Sequence, residues 1–158
     1  MLKLEGLEKI VGFKVSGQRF GIRLADINTI IRAVEVTPIP NSPEYLCGII
    51  DMHGNVVPVI SFHVRIGLPD RPTLIDDRFI IAKVPGKVIA LRVDEVTGMI
   101  ENVENHFLKA DAITPDLEIH GIVRSKNGLL VIYDLEKFLS SDEISFLDSL
   151  STDQLINK

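Results

Sequence analysis

Two pairs of residues have the types a hydrolase would need, Ser61 with His63 and Asp51 with His53. The members of each pair stand two apart, which on a strand places both side chains on one face and does no more. A working nucleophile also needs an oriented base and a sharp turn that exposes it, and neither run has the form of a nucleophile elbow. The four histidines, His53, His63, His106 and His120, show no ligand spacing, and the single cysteine, Cys47, has no partner for a zinc site or an intrachain disulfide. Between Leu46 and Gly48 it suits a small buried apolar position. Gly12, Gly17 and Gly21 are spread along a hairpin pattern rather than gathered between a strand and a helix, so no phosphate cradle is indicated. Glu101, Glu104, Asp111, Asp116 and Glu118 lack the dense alternation of a calcium loop and suit a solvated face. Neither a metal nor a cofactor is expected, and binding remains as the function.

The elements that must present a binding surface are short and extended. Pro38, Pro40 and Pro43 fix φ and disfavour helix in the residue before each, keeping the chain extended to Ser42. Ser42 suits an N-cap, Pro43 the first helical position and Glu44 the first turn, which predicts about one turn of helix, ended by Gly48. Residues 49–52 and 56–60 then face each other across His53, Gly54 and Asn55. Upstream, Val11, Phe13 and Val15 alternate with Gly12 and Lys14, and Phe20, Ile22 and Leu24 do so after Ser16-Gly17-Gln18, predicting a hairpin with one buried face. Asp26 is placed to cap a short helical turn through Ile27, Ile30 and Ile31. Downstream the pattern predicts a brief helix in 61–68, a polar linker over 69–77, and a hairpin of 78–84 with 88–93 across Pro85-Gly86-Lys87. A short strand at Met99 and Ile100 lies in acidic sequence, followed by a third hairpin of 119–124 with 129–134. Helical spacing recurs at 135–139 and 144–150, the latter capped by Ser141 or Asp142. Residues 1–8 carry no assignment and 151–158 suit a frayed tail.

Composition narrows the partners. With 46% hydrophobic and 25% charged residues the chain is that of a globular protein, long enough for one domain or two small subdomains sharing a core. A net charge of −5 and the absence of Trp argue against nucleic acid and, more weakly, against an anionic membrane surface. No run approaches the roughly 18 apolar residues a membrane span requires, and the first nine residues contain no signal-peptide core, so a cytoplasmic location is expected.

The sequence also repeats itself. FGIRLADINTII from Phe20 lies without gaps on IALRVDEVTGMI from Ile89, setting Ile22 against Leu91, Arg23 against Arg92, Ile27 against Val96 and Ile31 against Ile100. GIIDMHGNVVPVI from Gly48 is similar to GIVRSKNGLLVIY from Gly121, and Val36-Thr37-Pro38 to Ile113-Thr114-Pro115. Two registers in the same order predict two copies of a small antiparallel β unit, neither large enough to stand comfortably alone, that share an apolar interface.

The central run carries a resemblance. Pro40, Pro43, Tyr45, Gly48, Gly54 and Val56-Val57-Pro58-Val59-Ile60 stand in a pattern that resembles the signature of the CheW-like domain of bacterial and archaeal chemotaxis, over roughly residues 9 to 140. Where that family's turn usually has Asn-Leu-Arg-Gly, this chain has Asp51-Met52-His53-Gly54. The resemblance implies a mostly β fold of two similar small five-stranded antiparallel, SH3-like β-barrel subdomains packed on a shared apolar core, with short helices including a C-terminal one. On that expectation the first subdomain is mainly 9–68, the linker 69–77 and the second subdomain mainly 78–140, with strands exchanged or not. A helix at 141–150 and the tail follow.

The resemblance further implies a non-catalytic adaptor that couples chemoreceptors to the histidine kinase CheA in two-component signalling. Its partners would be the receptor's cytoplasmic coiled-coil tip and the kinase's regulatory domain, and it would be recruited to receptor arrays at the inner face of the membrane without inserting. The positions matching the receptor groove are Ile27, Thr29, Ile30 and His53, although Ile27 and Ile30 equally suit the core of the first barrel. Thr29 stands where a glutamate is common and His53 where an arginine is common. For the kinase the matching surface is Val56, Val57 and Pro58 with Leu129 and Leu130 on the equivalent hairpin. The alternatives are an orphan β-barrel interaction module and a small hydrolase.

Overall fold

The chain opens with a hairpin of β1 (Lys9–Val15) and β2 (Gln18–Arg23), closed by the pair Val15 and Gln18. Its turn residues, Ser16 and Gly17, both take positive φ, 51° and 80°, the two-residue geometry whose twist suits the flanking strands. The computed structural model describes residues 9–101, 107–109, 119–126 and 128–150. After the first hairpin come β3 (Ile27–Arg32), β4 (Leu46–Met52), β5 (Asn55–Ser61) and α1 (Phe62–Arg65). Then follow β6 (Arg78–Val84), β7 (Lys87–Val93), β8 (Glu95–Glu101), β9 (Phe107–Lys109), β10 (Ile119–Ser125), β11 (Gly128–Tyr133) and α2 (Ser141–Ser149). The fold is mostly β with short helices, including the C-terminal one, as expected.

The strands form two sheets, ordered β8-β1-β2-β11-β10-β9 and β3-β6-β7-β5-β4. The short β9 adds a sixth strand to the first, and both ladders run from edge to edge without closing. Each sheet is antiparallel except at one join, β2 with β11 and β5 with β7. The repeat is built into this order: replacing β1, β2, β8, β10 and β11 by β6, β7, β3, β4 and β5 turns one sheet into the other. Each sheet takes its leading hairpin from one copy and its remaining strands from the other. Even the irregularities correspond, with Asn28 and Thr97 skipped in the β3–β6 and β8–β1 pairings and Cys47 and His120 skipped in β4–β5 and β10–β11.

The main core lies between the sheets, where Phe13, Phe20 and Ile22 meet Ile60, Ile80 and Leu91 around Phe62 and Phe138. Ring centroids of Phe62 stand 5.0 Å from Phe13, 5.1 Å from Phe20 and 5.2 Å from Tyr133, edge to face. Two smaller clusters gather elsewhere, one of Ile10, Val123, Leu130 and Ile132 and one of Ile50, Val57, Val59, Phe79, Ile81 and Ala90. The predicted one-sided burial of the first hairpin is therefore corrected: β1 sits between β8 and β2, with Phe13 in the main core and Ile10 in a second cluster.

Local expectations differ in four places. Residues 42–47 form no helix; the Leu46 N–H donates to the Pro43 carbonyl at 3.1 Å in a turn, and Ser61 N–H donates to Tyr45 O at 2.8 Å. The segment is too short to nucleate a helix when strand pairing can satisfy its backbone. Gly48 lies inside β4 at φ +149°, where a Cβ would stand 2.3 Å from the Thr37 carbonyl oxygen, with Thr37 paired to Ile49. The helical turn expected at Ile27, Ile30 and Ile31 is strand β3, with a 3-10 turn over Leu24–Asp26 before it. Helix α2 is capped by Ser140, not Ser141 or Asp142: its Oγ accepts from Glu143 N–H at 3.1 Å while Glu143 accepts from Ser140 N–H at 2.9 Å. The brief helix after β5 is α1, capped by the Ser61 hydroxyl, which accepts from Val64 N–H at 3.3 Å. The lead-in 1–8, Ile113-Thr114-Pro115, His106, Glu104, Asp111, Asp116, Glu118 and the tail 151–158 lie outside the described residues.

Candidate partner-binding groove

Where β3, β6 and the β4–β5 hairpin approach the end of α2, the surface folds into a groove of about 410 Å³. The β4–β5 turn is built by His53 and Gly54 at φ 56° and 88°, and the Asp51 carboxylate accepts from the Gly54 N–H at 2.9 Å. That bond uses Asp51 to hold the turn and leaves His53 exposed at the groove's rim. Thr29 from β3, His53 from the turn and Val56, Val57 and Pro58 from β5 all line the groove. Candidates read separately as receptor-facing and kinase-facing thus share one concavity. Ile27 and Ile30 do not: both are partly buried against the main core. On the other sheet Leu129 is 56% exposed at the β10–β11 hairpin, while Leu130 is fully buried beside Ile10 and Val123.

The groove carries little charge. Among its lining residues only Lys87 and Asp148 are charged, and Lys87 Nζ pairs with Asp148 Oδ1. Those two, with Leu147 and Asn28, are lining residues that sequence reasoning missed. Nothing in the sequence links a hairpin turn at 87 to a helix end at 148. The repeat did offer a signal for Asn28, since it falls opposite Thr97.

The sequence pair Ser61 and His63 serves the frame. The Ser61 hydroxyl caps α1 and stands 3.3 Å from Arg92 Nη2, whereas His63 Nε2 lies 3.1 Å from Asp94 Oδ1. Serine and imidazole therefore have different partners, and no nucleophile–base bond forms. Arg92, almost wholly buried, donates to Asp70 at 2.6 Å and Thr73 at 3.2 Å. Arg71 pairs with Asp77 at 2.7 Å and with Asp94, so the polar linker is fastened at several points. Burial opposes ionisation of Asp70, but the hydrogen bonds from Arg92 and Ser61 outweigh it and hold the carboxyl below its usual range. Burial, aided by Arg71 and Arg92, pushes the His63 imidazole below its ordinary value despite Asp94. His120 is lowered by burial and by Arg23 against Asp134, and burial pushes the Cys47 thiol up to about 11, which keeps it a thiol. Among the described residues no group of three or more His, Cys, Asp or Glu is placed to hold a metal, and no helix is long and apolar enough to cross a membrane.

Two β sheets that exchange hairpins around one core, presenting an apolar groove beside a polar frame, define a β scaffold of the binding class. The family model of the CheW-like domain matches residues 9–143, and the chain belongs to that family. Its members are non-catalytic scaffolds, and this chain is one of them. The chain is 29% identical over 138 residues to "Chemotaxis protein CheW" of Bacillus subtilis (strain 168), covering 85% of this chain and 88% of that one. It is 27% identical over 150 residues to the protein of the same name from Treponema pallidum (strain Nichols), covering 90% and 88%. The crystal structure of the scaffolding protein TtCheW from Thermoanaerobacter tengcongensis superposes with a TM-score of 0.77 at 28% identity, over 86% of this chain and 94% of that one.

Proposed function

We propose that the chain is a cytoplasmic adaptor that couples a chemoreceptor's coiled-coil tip to the regulatory domain of a CheA histidine kinase at receptor arrays on the inner face of the membrane. The single observation that carries this reading is the groove, which collects Thr29, His53 and Val56–Pro58 in a member of a chemotaxis scaffold family. A helix with an apolar stripe suits such a concavity, and coupling of this kind needs interface area and rigidity rather than a perturbed pKa. Thr29 and His53 replace the acidic and basic residues common at these positions. The receptor accepted is therefore of a divergent class, or the pathway is one other than swimming chemotaxis, such as twitching motility or gene regulation.

Calorimetric titration with the regulatory domain of a CheA kinase from the same genome tests the adaptor reading, and saturable binding is expected. Leu129→Asp, at an exposed position, should abolish that binding while leaving the thermal transition in place. Absence of binding by a folded sample to every such kinase in the genome would overturn the reading. For the receptor, Thr29→Glu with His53→Arg should improve retention of an ordinary chemoreceptor tip in a pull-down. Equal retention by the unaltered chain would count against a divergent class.

A further inference from the structure

We propose that the β6–β7 turn is an adjustable wall of the groove, because the lock that fastens its symmetry mate to the linker and α1 is missing; this rests on the groove being a partner site. The mate is the β1–β2 turn. There the Ser16 N–H donates to Asp94 Oδ2 at 2.7 Å, Asp94 N–H donates to Lys14 O at 3.1 Å, and the same carboxylate is held by Arg71 and lies against His63. That turn is thereby tied to the linker and to α1 at once. The repeat sets Ser16 opposite Pro85 and Asp94 opposite Ala25. Pro85 has no N–H to donate and Ala25 no carboxylate to accept, so both halves of the lock are absent.

A cleft stands where the lock would be, about 530 Å³, lined by Ala25, Asp26, Lys83, Pro85 and Glu136 among others. The groove lies on the other side of the same turn, lined by Gly86, Lys87 and Val88. Gly86 at φ 78° follows a proline held at negative φ, a type II pattern whose twist matches the strands less well than the β1–β2 turn does, although the ladder still closes at Val84 and Lys87. On the groove side the turn is joined to α2 by Lys87, whose side chain is 12% exposed, and Asp148, whose carboxylate is 62% exposed and so partly screened by water. A turn tied only towards α2, through a carboxylate open to water, and with open volume behind can yield to what enters the groove further than the β1–β2 turn, which is tied to the linker and to α1.

Amide hydrogen exchange on the free chain tests this without any partner. After correction for intrinsic rates, Lys87 and Val88 should exchange about tenfold faster than their mates Gln18 and Arg19. Equal rates would overturn the proposal. Ala25→Asp with Pro85→Ser rebuilds both halves of the lock and should close that gap, while Ala25→Asp alone, lacking the N–H donor, should leave it. A gap that persists in the double variant would remove the missing bond as its cause. With a soluble chemoreceptor tip fragment as probe, the double variant should bind about tenfold more weakly than the unaltered chain, since a fixed wall cannot adapt. Undiminished binding would overturn the role in recognition. Failure of the unaltered chain to bind any tip would instead strike the adaptor reading, with the exchange comparison still deciding whether the wall moves.

Discussion

At the scale of single residues, Gly48, the buried His63 and the half-buried His120 each carry a measurable share of stability. Gly48 combines φ +149° with a backbone oxygen 2.3 Å from where a Cβ would stand. Gly48→Ala should therefore destabilise the chain by about 2 kcal/mol or more, through strain plus displacement of Thr37, read as a lowered chemical-denaturation midpoint. An unchanged midpoint would mean that the Thr37–Ile49 contact yields without cost. His63 and His120 both titrate below the ordinary 6.5, chiefly because burial disfavours the charged ring. As pH falls through about 6.5 the unfolded chain takes up these protons before the folded chain does, so stability present above that pH is lost toward the lowered folded values. The thermal midpoint should drop between about pH 7.5 and 5, and His63→Gln should flatten the drop. A midpoint that rises on acidification would refute the sign of both shifts.

Among the elements, α2 starts on a full capping box. Its reciprocal Ser140 and Glu143 bonds satisfy two backbone donors, and Arg65, 3.2 Å from Glu143 and over the ring of Phe138, links the helix to α1. Ser140→Ala should cost about 1 kcal/mol, measured by thermal unfolding, and Ser140→Asp should recover most of it. If alanine is neutral, α2 is held by Leu147 and Leu150 in the core and the cap is incidental. Element β3 teaches why a strand was read as a helix. Skipping Asn28 in the pairing with β6 shifts the alternation by one, so Ile27 and Ile30 face the main core and Ile31 the other cluster. Apolar residues three and four apart then imitate the helical period, and only the pairing partner tells the two apart.

For the whole molecule, Phe62 is the joint. It follows β5 of one sheet and packs against Phe13 and Phe20 of the other, with no exposed surface. Phe62→Ala should cost about 3–5 kcal/mol, and because the cavity opens between the sheets, unfolding should remain a single transition at lower denaturant. Two separated transitions would show that the sheets hold together independently. What the sequence determined by itself was local or repeated: the hairpins, from alternation and turn residues; the two-copy plan, from Phe20 aligned with Ile89 and Gly48 with Gly121; and the family, from the spacing between Pro40 and Ile60. What only the tertiary structure decided was every relation between distant segments. The parallel joins of β2 with β11 and β5 with β7, the burial of Leu130 against the exposure of Leu129, and the meeting of Lys87 with Asp148 leave no periodicity in the chain. Periodicity records which face of an element is apolar, whereas the partner that covers that face is chosen by the free energy of burying it, a property of both segments together.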